Sequence, residues 1–125
     1  MKYYLTKEFR FESGHFLRDY DGPCAKVHGH SFKLQVTVLS HKLNEQGMVI
    51  DFKDLKREVK NVIDVYDHEL LNDIQPFDKI NPTAENIATD IFEKLSFTFR
   101  KYDSWIELHS VKLWETETSF VEIRS

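Results

Sequence analysis

Hydrophobic and polar side chains alternate in four stretches of the chain, and hydrophobic side chains recur every three or four residues in two others. Alternation is typical of β-strands, whose successive side chains point to opposite faces. The three-to-four spacing is typical of amphipathic helices. The predicted strands are residues 3–11, 31–39, 105–115 and 120–123. The predicted helices are residues 52–64, capped by Asp51, and a second helix that follows its cap Thr83 and carries an apolar stripe over 87–99.

The order strand, strand, helix, helix, strand, strand predicts an α+β fold, an antiparallel four-stranded sheet with two helices on one face. A chain of 125 residues has the size of one ordinary domain, and we expect a single domain over residues 1–125. Such a sheet has an exposed edge strand at each end. A symmetric ring of subunits that continues the sheet would remove both edges, which makes oligomerisation physically reasonable.

Composition narrows the class of protein. Hydrophobic residues make up 41% and charged residues 30%, a globular balance, and the apolar runs fall far short of the roughly 20 residues of a membrane span. The first residues lack the apolar segment of a secretory signal, and one cysteine cannot form an internal disulfide, so we expect a cytoplasmic protein. A net charge of -4 argues against a general nucleic-acid binder.

Three histidines stand out as candidate metal ligands. His28 and His30 are one residue apart on an extended segment and therefore share a face. His15 continues the apolar phase of Phe9 and Phe11 on the preceding strand. Three neutral imidazoles leave one tetrahedral position open, which is typical of catalytic zinc. The alternative is a strand that carries ordinary histidines.

The single cysteine lies among turn-forming residues, so Cys24 is expected on a loop, where a thiol can reach a substrate. Zinc and nearby Lys26 would favour its thiolate, whereas the alternative is a loop cysteine with no role. Taken alone, Asp67 and His68 indicate an exposed loop pair, and Glu115 indicates a surface glutamate near a strand end.

Six motifs in one order resemble the 6-pyruvoyl/6-carboxytetrahydropterin synthase family of the tunnelling fold, over nearly the whole chain. The motifs are FESGH at 11–15, CAKVHGH at 24–30, DF at 51–52, DHELLN at 67–72, NPTAEN at 81–86 and WET at 114–116. Each one is weak alone, and six in order are specific. Gly14 and Trp114 depart from the residues usual in the family, and neither is of a catalytic type.

The resemblance implies a role for each candidate residue. His15, His28 and His30 would be the Zn²⁺ ligands. Cys24 would be the catalytic thiol, Asp67 with His68 a proton-transferring dyad, and Glu115 the pterin anchor. The implied substrate is 7,8-dihydroneopterin triphosphate, and the implied assembly is a homohexamer with sites at subunit interfaces. Arg18, Lys26 and Lys7 are candidate sources of positive charge for the triphosphate.

The product depends on the spacing between the cysteine and the next histidine. Three residues separate Cys24 from His28, which resembles the carboxy-forming, queuosine-pathway branch, whereas the pyruvoyl-forming branch usually has five. A loop two residues shorter reaches up to ~7 Å less when extended, which changes the carbon that a base can address. We therefore expect a zinc lyase that forms 6-carboxytetrahydropterin. The alternatives are 6-pyruvoyltetrahydropterin synthase and a pterin-binding module without turnover.

Overall fold

Five strands and two helices make up the computed structural model, which describes residues 1–125. The strands are β1 (Tyr3–His15), β2 (His28–Ser40), β3 (Glu69–Leu70), β4 (Ile106–Thr116) and β5 (Ser119–Arg124). The helices are α1 (Phe52–Ile63) and α2 (Ala84–Phe99). Each of the six predicted elements is present, and the α+β class is confirmed.

The sheet has the strand order β3-β1-β2-β4-β5, so the predicted count of four strands was one too low. The additional strand β3 has two residues and runs parallel to β1, beside Ser13 and Gly14, which makes the sheet mixed and not purely antiparallel. The other three pairings are antiparallel. A two-residue strand has no alternation to detect, because it is defined only by its pairing with a distant segment.

The first two strands are longer than predicted, and the difference shapes the site. They form a continuous antiparallel ladder from Tyr3 opposite Ser40 to His15 opposite His28. The prediction ended the first strand at residue 11 and began the second at residue 31. The glycines at 14 and 29, which usually weaken strands, lie opposite each other in this ladder, where cross-strand pairing overrides their propensity.

Both helices begin at the caps that the sequence indicates. The Asp51 carboxylate accepts a hydrogen bond from the Lys53 backbone N–H at 2.8 Å, and the Thr83 hydroxyl accepts one from the Asn86 N–H at 3.1 Å. The helix α1 ends one residue earlier than predicted, with Asp64 as its C-cap. Neither helix combines the length and the hydrophobicity needed to cross a bilayer.

The hydrophobic core lies between the helices and one face of the sheet. It contains 24 buried residues, among them Leu34 and Val36 of β2, Val59 of α1 and Ile91 of α2. Alternate residues of β1 and β2, such as Glu12, point to the opposite face and stay exposed. The sheet therefore has one apolar face covered by helices and one polar face free of them.

Candidate metal centre and its surroundings

Three imidazoles converge at one end of the first two strands. His15 is the last residue of β1 and lies opposite His28, the first residue of β2, while His30 follows two residues later on the same face. One ring nitrogen from each histidine lies within 4.8 Å of the other two. The register of β1 and β2 thus brings the three predicted histidines together.

Backbone carbonyls orient two of the three rings. The Nδ1 of His15 lies 2.7 Å from the Pro82 carbonyl oxygen, and the Nδ1 of His28 lies 2.7 Å from the Lys26 carbonyl oxygen. Since a carbonyl only accepts, both Nδ1 atoms carry the proton and both Nε2 atoms keep a free lone pair. These acceptors could not be predicted from the sequence, because every residue has a backbone carbonyl.

The Nε2 atoms of His15, His28 and His30 are buried and have no hydrogen-bond partner. Buried polar atoms are almost always satisfied, so three unpaired nitrogens side by side point to a shared ligand. Neutral imidazole nitrogen suits zinc and related divalent metals. The donor set therefore fits a divalent metal ion held by three protein ligands.

The electrostatics of the site favour neutral imidazoles. Burial lowers the pKa of His15 below its usual value, and the neighbouring histidines add to this, whereas the Pro82 carbonyl and Glu115 oppose it. Burial likewise lowers the pKa of His30, against the influence of Glu115. A lowered pKa leaves the lone pair free at neutral pH, as a metal ligand requires.

Glu115 lies beside the triad, although its position in the sequence resembles that of a surface residue. It is the penultimate residue of β4 and continues the core-facing phase of Val111 and Leu113. Its carboxylate Oε1 is 3.4 Å from the Nε2 of His30, and its side chain is 28% exposed. A carboxylate that is partly buried next to the imidazoles can accept hydrogen bonds from a ligand at this site.

Cys24 lies in a short 3-10 turn, Pro23–Ala25, and is half-buried with a free thiol. Its carbonyl oxygen accepts a hydrogen bond from the Leu17 N–H at 2.8 Å, which ties the turn to the chain two residues after His15. The thiol is not part of the group of mutually close ligand atoms, which consists of the three imidazoles. The expected loop position is confirmed.

Asp67 and His68 contact each other, although neighbours in sequence do not meet by adjacency alone. The Nδ1 of His68 is 3.0 Å from the Oδ2 of Asp67, and His68 adopts a left-handed backbone conformation with φ 60°. The backbone of Glu12 fixes the pair: its N–H donates to Asp67 at 2.8 Å, and its carbonyl accepts from the His68 N–H at 2.5 Å. The Glu12 N–H and the imidazole of His68 lower the pKa of Asp67.

His68 lines an open cavity of about 400 Å³, together with His30 of the triad and residues of β1, β2 and β3. Exposed polar side chains line it, including Glu12 and Ser31, whose hydroxyl donates to the Glu12 carboxylate at 2.5 Å. The His68 side chain is 77% exposed there. His30 of the triad and His68 of the dyad both line this cavity, so one chain places a residue of each group around the same cavity. Glu12 and Ser31 were not predicted as site residues. The only indication in the sequence was that both are polar residues at the exposed positions of the strand alternation.

The fold and the site together define an α+β protein with a candidate metal centre of three histidines. The family model described as 6-pyruvoyl tetrahydropterin synthase matches residues 4–125. The chain therefore belongs to this family.

Relatives with assigned names support a particular branch. A 6-carboxy-5,6,7,8-tetrahydropterin synthase of Haemophilus influenzae is 40% identical, covering 94% of this chain and 96% of that protein. One of Synechocystis is 40% identical over 92% of this chain and 88% of that protein. The solved structure of the Caenorhabditis elegans 6-pyruvoyl tetrahydropterin synthase has a TM-score of 0.87 and 26% identity, covering 100% of this chain and 96% of that one.

Proposed function

We propose that the protein is a zinc-dependent lyase that converts 7,8-dihydroneopterin triphosphate to 6-carboxy-5,6,7,8-tetrahydropterin, with release of acetaldehyde and triphosphate, in queuosine biosynthesis. The observation that carries the proposal is the cluster of three buried, unpaired Nε2 atoms with the Glu115 carboxylate beside it. The names of the relatives from Haemophilus influenzae and Synechocystis support the carboxy-forming branch.

His15, His28 and His30 hold the metal in this proposal, and Glu115 anchors the pterin by accepting hydrogen bonds from its amino and ring N–H groups. Bound zinc would supply a Lewis acid that stabilises negative charge on the side-chain oxygens of the substrate. The Cys24 thiolate acts as the base that removes a proton from that side chain.

The dyad returns a proton on the other side of the substrate. Asp67, whose pKa is lowered, keeps its negative charge and orients His68 through the Nδ1 contact, which leaves Nε2 of His68 for the substrate. We also propose that the protein is a homohexamer with sites at subunit interfaces, in which His68, whose side chain is 77% exposed, serves the site of another subunit. The two sheet edges support such an assembly.

The remaining expectations stay proposals. A single domain over residues 1–125 is supported by the core cluster, to which both helices and four of the strands contribute or pack. A cytoplasmic location and the absence of nucleic-acid and membrane partners stay predictions from composition.

Incubation of the purified, zinc-loaded protein with dihydroneopterin triphosphate tests the reaction. We expect acetaldehyde in equal amount to 6-carboxytetrahydropterin. A His28→Ala variant serves as the control for contaminating activity, because it lacks one of the three ligands.

Two other functions remain as outcomes of this experiment. A pyruvoyl product with triphosphate and no acetaldehyde would favour 6-pyruvoyltetrahydropterin synthase, the activity named for the Caenorhabditis elegans structure. Tight pterin binding without any product would favour a binding module.

A further inference from the structure

Two asparagine side chains form hydrogen bonds with the backbone just after His15, the proposed metal ligand. Asn72, which is 5% exposed, accepts a hydrogen bond from the Phe16 N–H at 2.9 Å and donates one to the Phe16 carbonyl at 3.0 Å. Asn81 does the same two residues later, with the Arg18 N–H at 2.8 Å and the Arg18 carbonyl at 3.0 Å. Each amide thus replaces a neighbouring strand, since it satisfies both backbone groups of one residue.

The second asparagine, Asn81, is also connected to the candidate metal site through the next residue. Asn81 precedes Pro82, whose carbonyl oxygen accepts the hydrogen bond from the Nδ1 of His15 at 2.7 Å. The carbonyl of Asn81 is itself held by the Asn86 side-chain amide at 2.9 Å. The His15 ring is therefore fixed through its own backbone, by way of Phe16 and Arg18, and through its Nδ1, by way of Pro82. Asn81 belongs to both connections.

We propose that Asn72 and Asn81 are positioning residues for the metal ligand His15: they set its ring orientation and hence the affinity of the three-histidine site for a divalent metal. The inference rests on the metal site of the proposed function. Groups that orient a ligand in this way typically change metal affinity by 10–100-fold when they are removed. Neither asparagine belongs to the group of mutually close ligand atoms, so their effect would be exerted through His15.

Asn44 offers a matched control. Its side-chain oxygen also accepts two backbone hydrogen bonds, from Gln46 and Met48, both at 3.0 Å. It lies beyond Ser40, at the opposite end of β2 from His28, and at a rise of about 3.3 Å per residue the strand between these two residues is up to about 40 Å long. Asn44→Ala therefore removes two asparagine hydrogen bonds without touching the metal centre.

The experiment measures the zinc affinity of folded wild-type protein, Asn81→Ala and Asn44→Ala by competition with a chromogenic chelator, together with the urea stability of each metal-free form. We expect affinity about 10–100-fold weaker for Asn81→Ala and unchanged for Asn44→Ala, at similar losses of stability. Asn81→Asp, which keeps the acceptor for the Arg18 N–H and loses the donor, should fall between wild type and Asn81→Ala. Because Asn72 is more deeply buried, Asn81 is the variant of choice.

Steady-state kinetics give a second readout. At saturating zinc, Asn81→Ala should recover most of its kcat, because its defect lies in metal affinity and not in the proton-transferring groups. Wild-type affinity in Asn81→Ala, or an equal loss in Asn44→Ala, would overturn the positioning role while the metal site stands. Failure of wild type itself to bind zinc would overturn both the metal site and this inference.

Discussion

Each imidazole of the triad turns a buried, unpaired nitrogen towards the other two, so the site should depend on every one of them. We predict about one zinc per chain in wild type and a large loss in His28→Ala, because two remaining ligands bind zinc far more weakly than three. His41→Ala is the control, since this exposed histidine lies just past the far end of β2. Mass spectrometric metal analysis measures the zinc content per chain of each variant. Full zinc in His28→Ala with loss in His41→Ala would refute the ligand assignment.

Cys24 and Glu115 should have separable effects on the reaction. Cys24→Ala is expected to bind zinc and pterin normally and to lose about 10²–10⁴-fold in kcat, because a general base acts on the barrier. Glu115→Ala should chiefly weaken pterin binding, since it removes hydrogen bonds made in the ground state. Titration calorimetry with the pterin and steady-state kinetics distinguish the two. An equal loss of binding in both variants would argue against separate roles.

At the scale of elements, the ladder between β1 and β2 does most to build the site. It places His15 opposite His28 and holds the backbone of Glu12 beside Asp67. A slip of one residue would turn the side chains of one strand to the other face and separate the imidazoles. The phase of the strands thus sets which side each functional residue faces.

The start of α1 provides a prediction about stability alone. Asp51→Ala removes the acceptor for the Lys53 N–H and should cost about 1 kcal/mol of unfolding free energy, within the usual range for a lost cap. Asp51→Asn keeps an acceptor oxygen and should cost less. Urea unfolding of the metal-free forms measures both. A cost well above 2 kcal/mol, or a loss of zinc affinity, would show that Asp51 does more than cap the helix.

For the whole molecule, assembly decides whether His68, whose side chain is 77% exposed, acts at the site of its own chain or at that of a neighbouring subunit. If the site combines groups from different chains, native mass spectrometry should find a particle of about six times 14.9 kDa. Co-expression of Cys24→Ala with His68→Ala should then restore part of the activity that each variant lacks, because some sites receive an intact thiol and an intact dyad. A monomeric active enzyme, or no recovery in mixed assemblies, would contradict the shared site.

The strand and helix periods, both helix caps and the three histidines that lie close together could be predicted from the amino-acid sequence. These features depend on side-chain spacing of two or on local hydrogen bonds, so they can be read from neighbouring residues. The ladder extension to His15 and His28 was only implied by their phase with Phe11 and Phe32. The family resemblance added Glu115, whose place beside His30 no local pattern indicated.

The contributions of segments far apart in the chain became visible only in the folded structure. Three features join residues that are more than 50 positions apart in the chain. They are the parallel strand β3, the Pro82 carbonyl that accepts from His15, and the hydrogen bonds of Asn72 and Asn81 to the backbone. Each of these contacts uses a backbone group on at least one side, and every residue carries such groups, so the partner cannot be identified from residue type in advance. The position of Asp67 and His68 belongs to the same class, because hydrogen bonds between their loop and the Glu12 backbone, and not the composition of the loop, set where it lies.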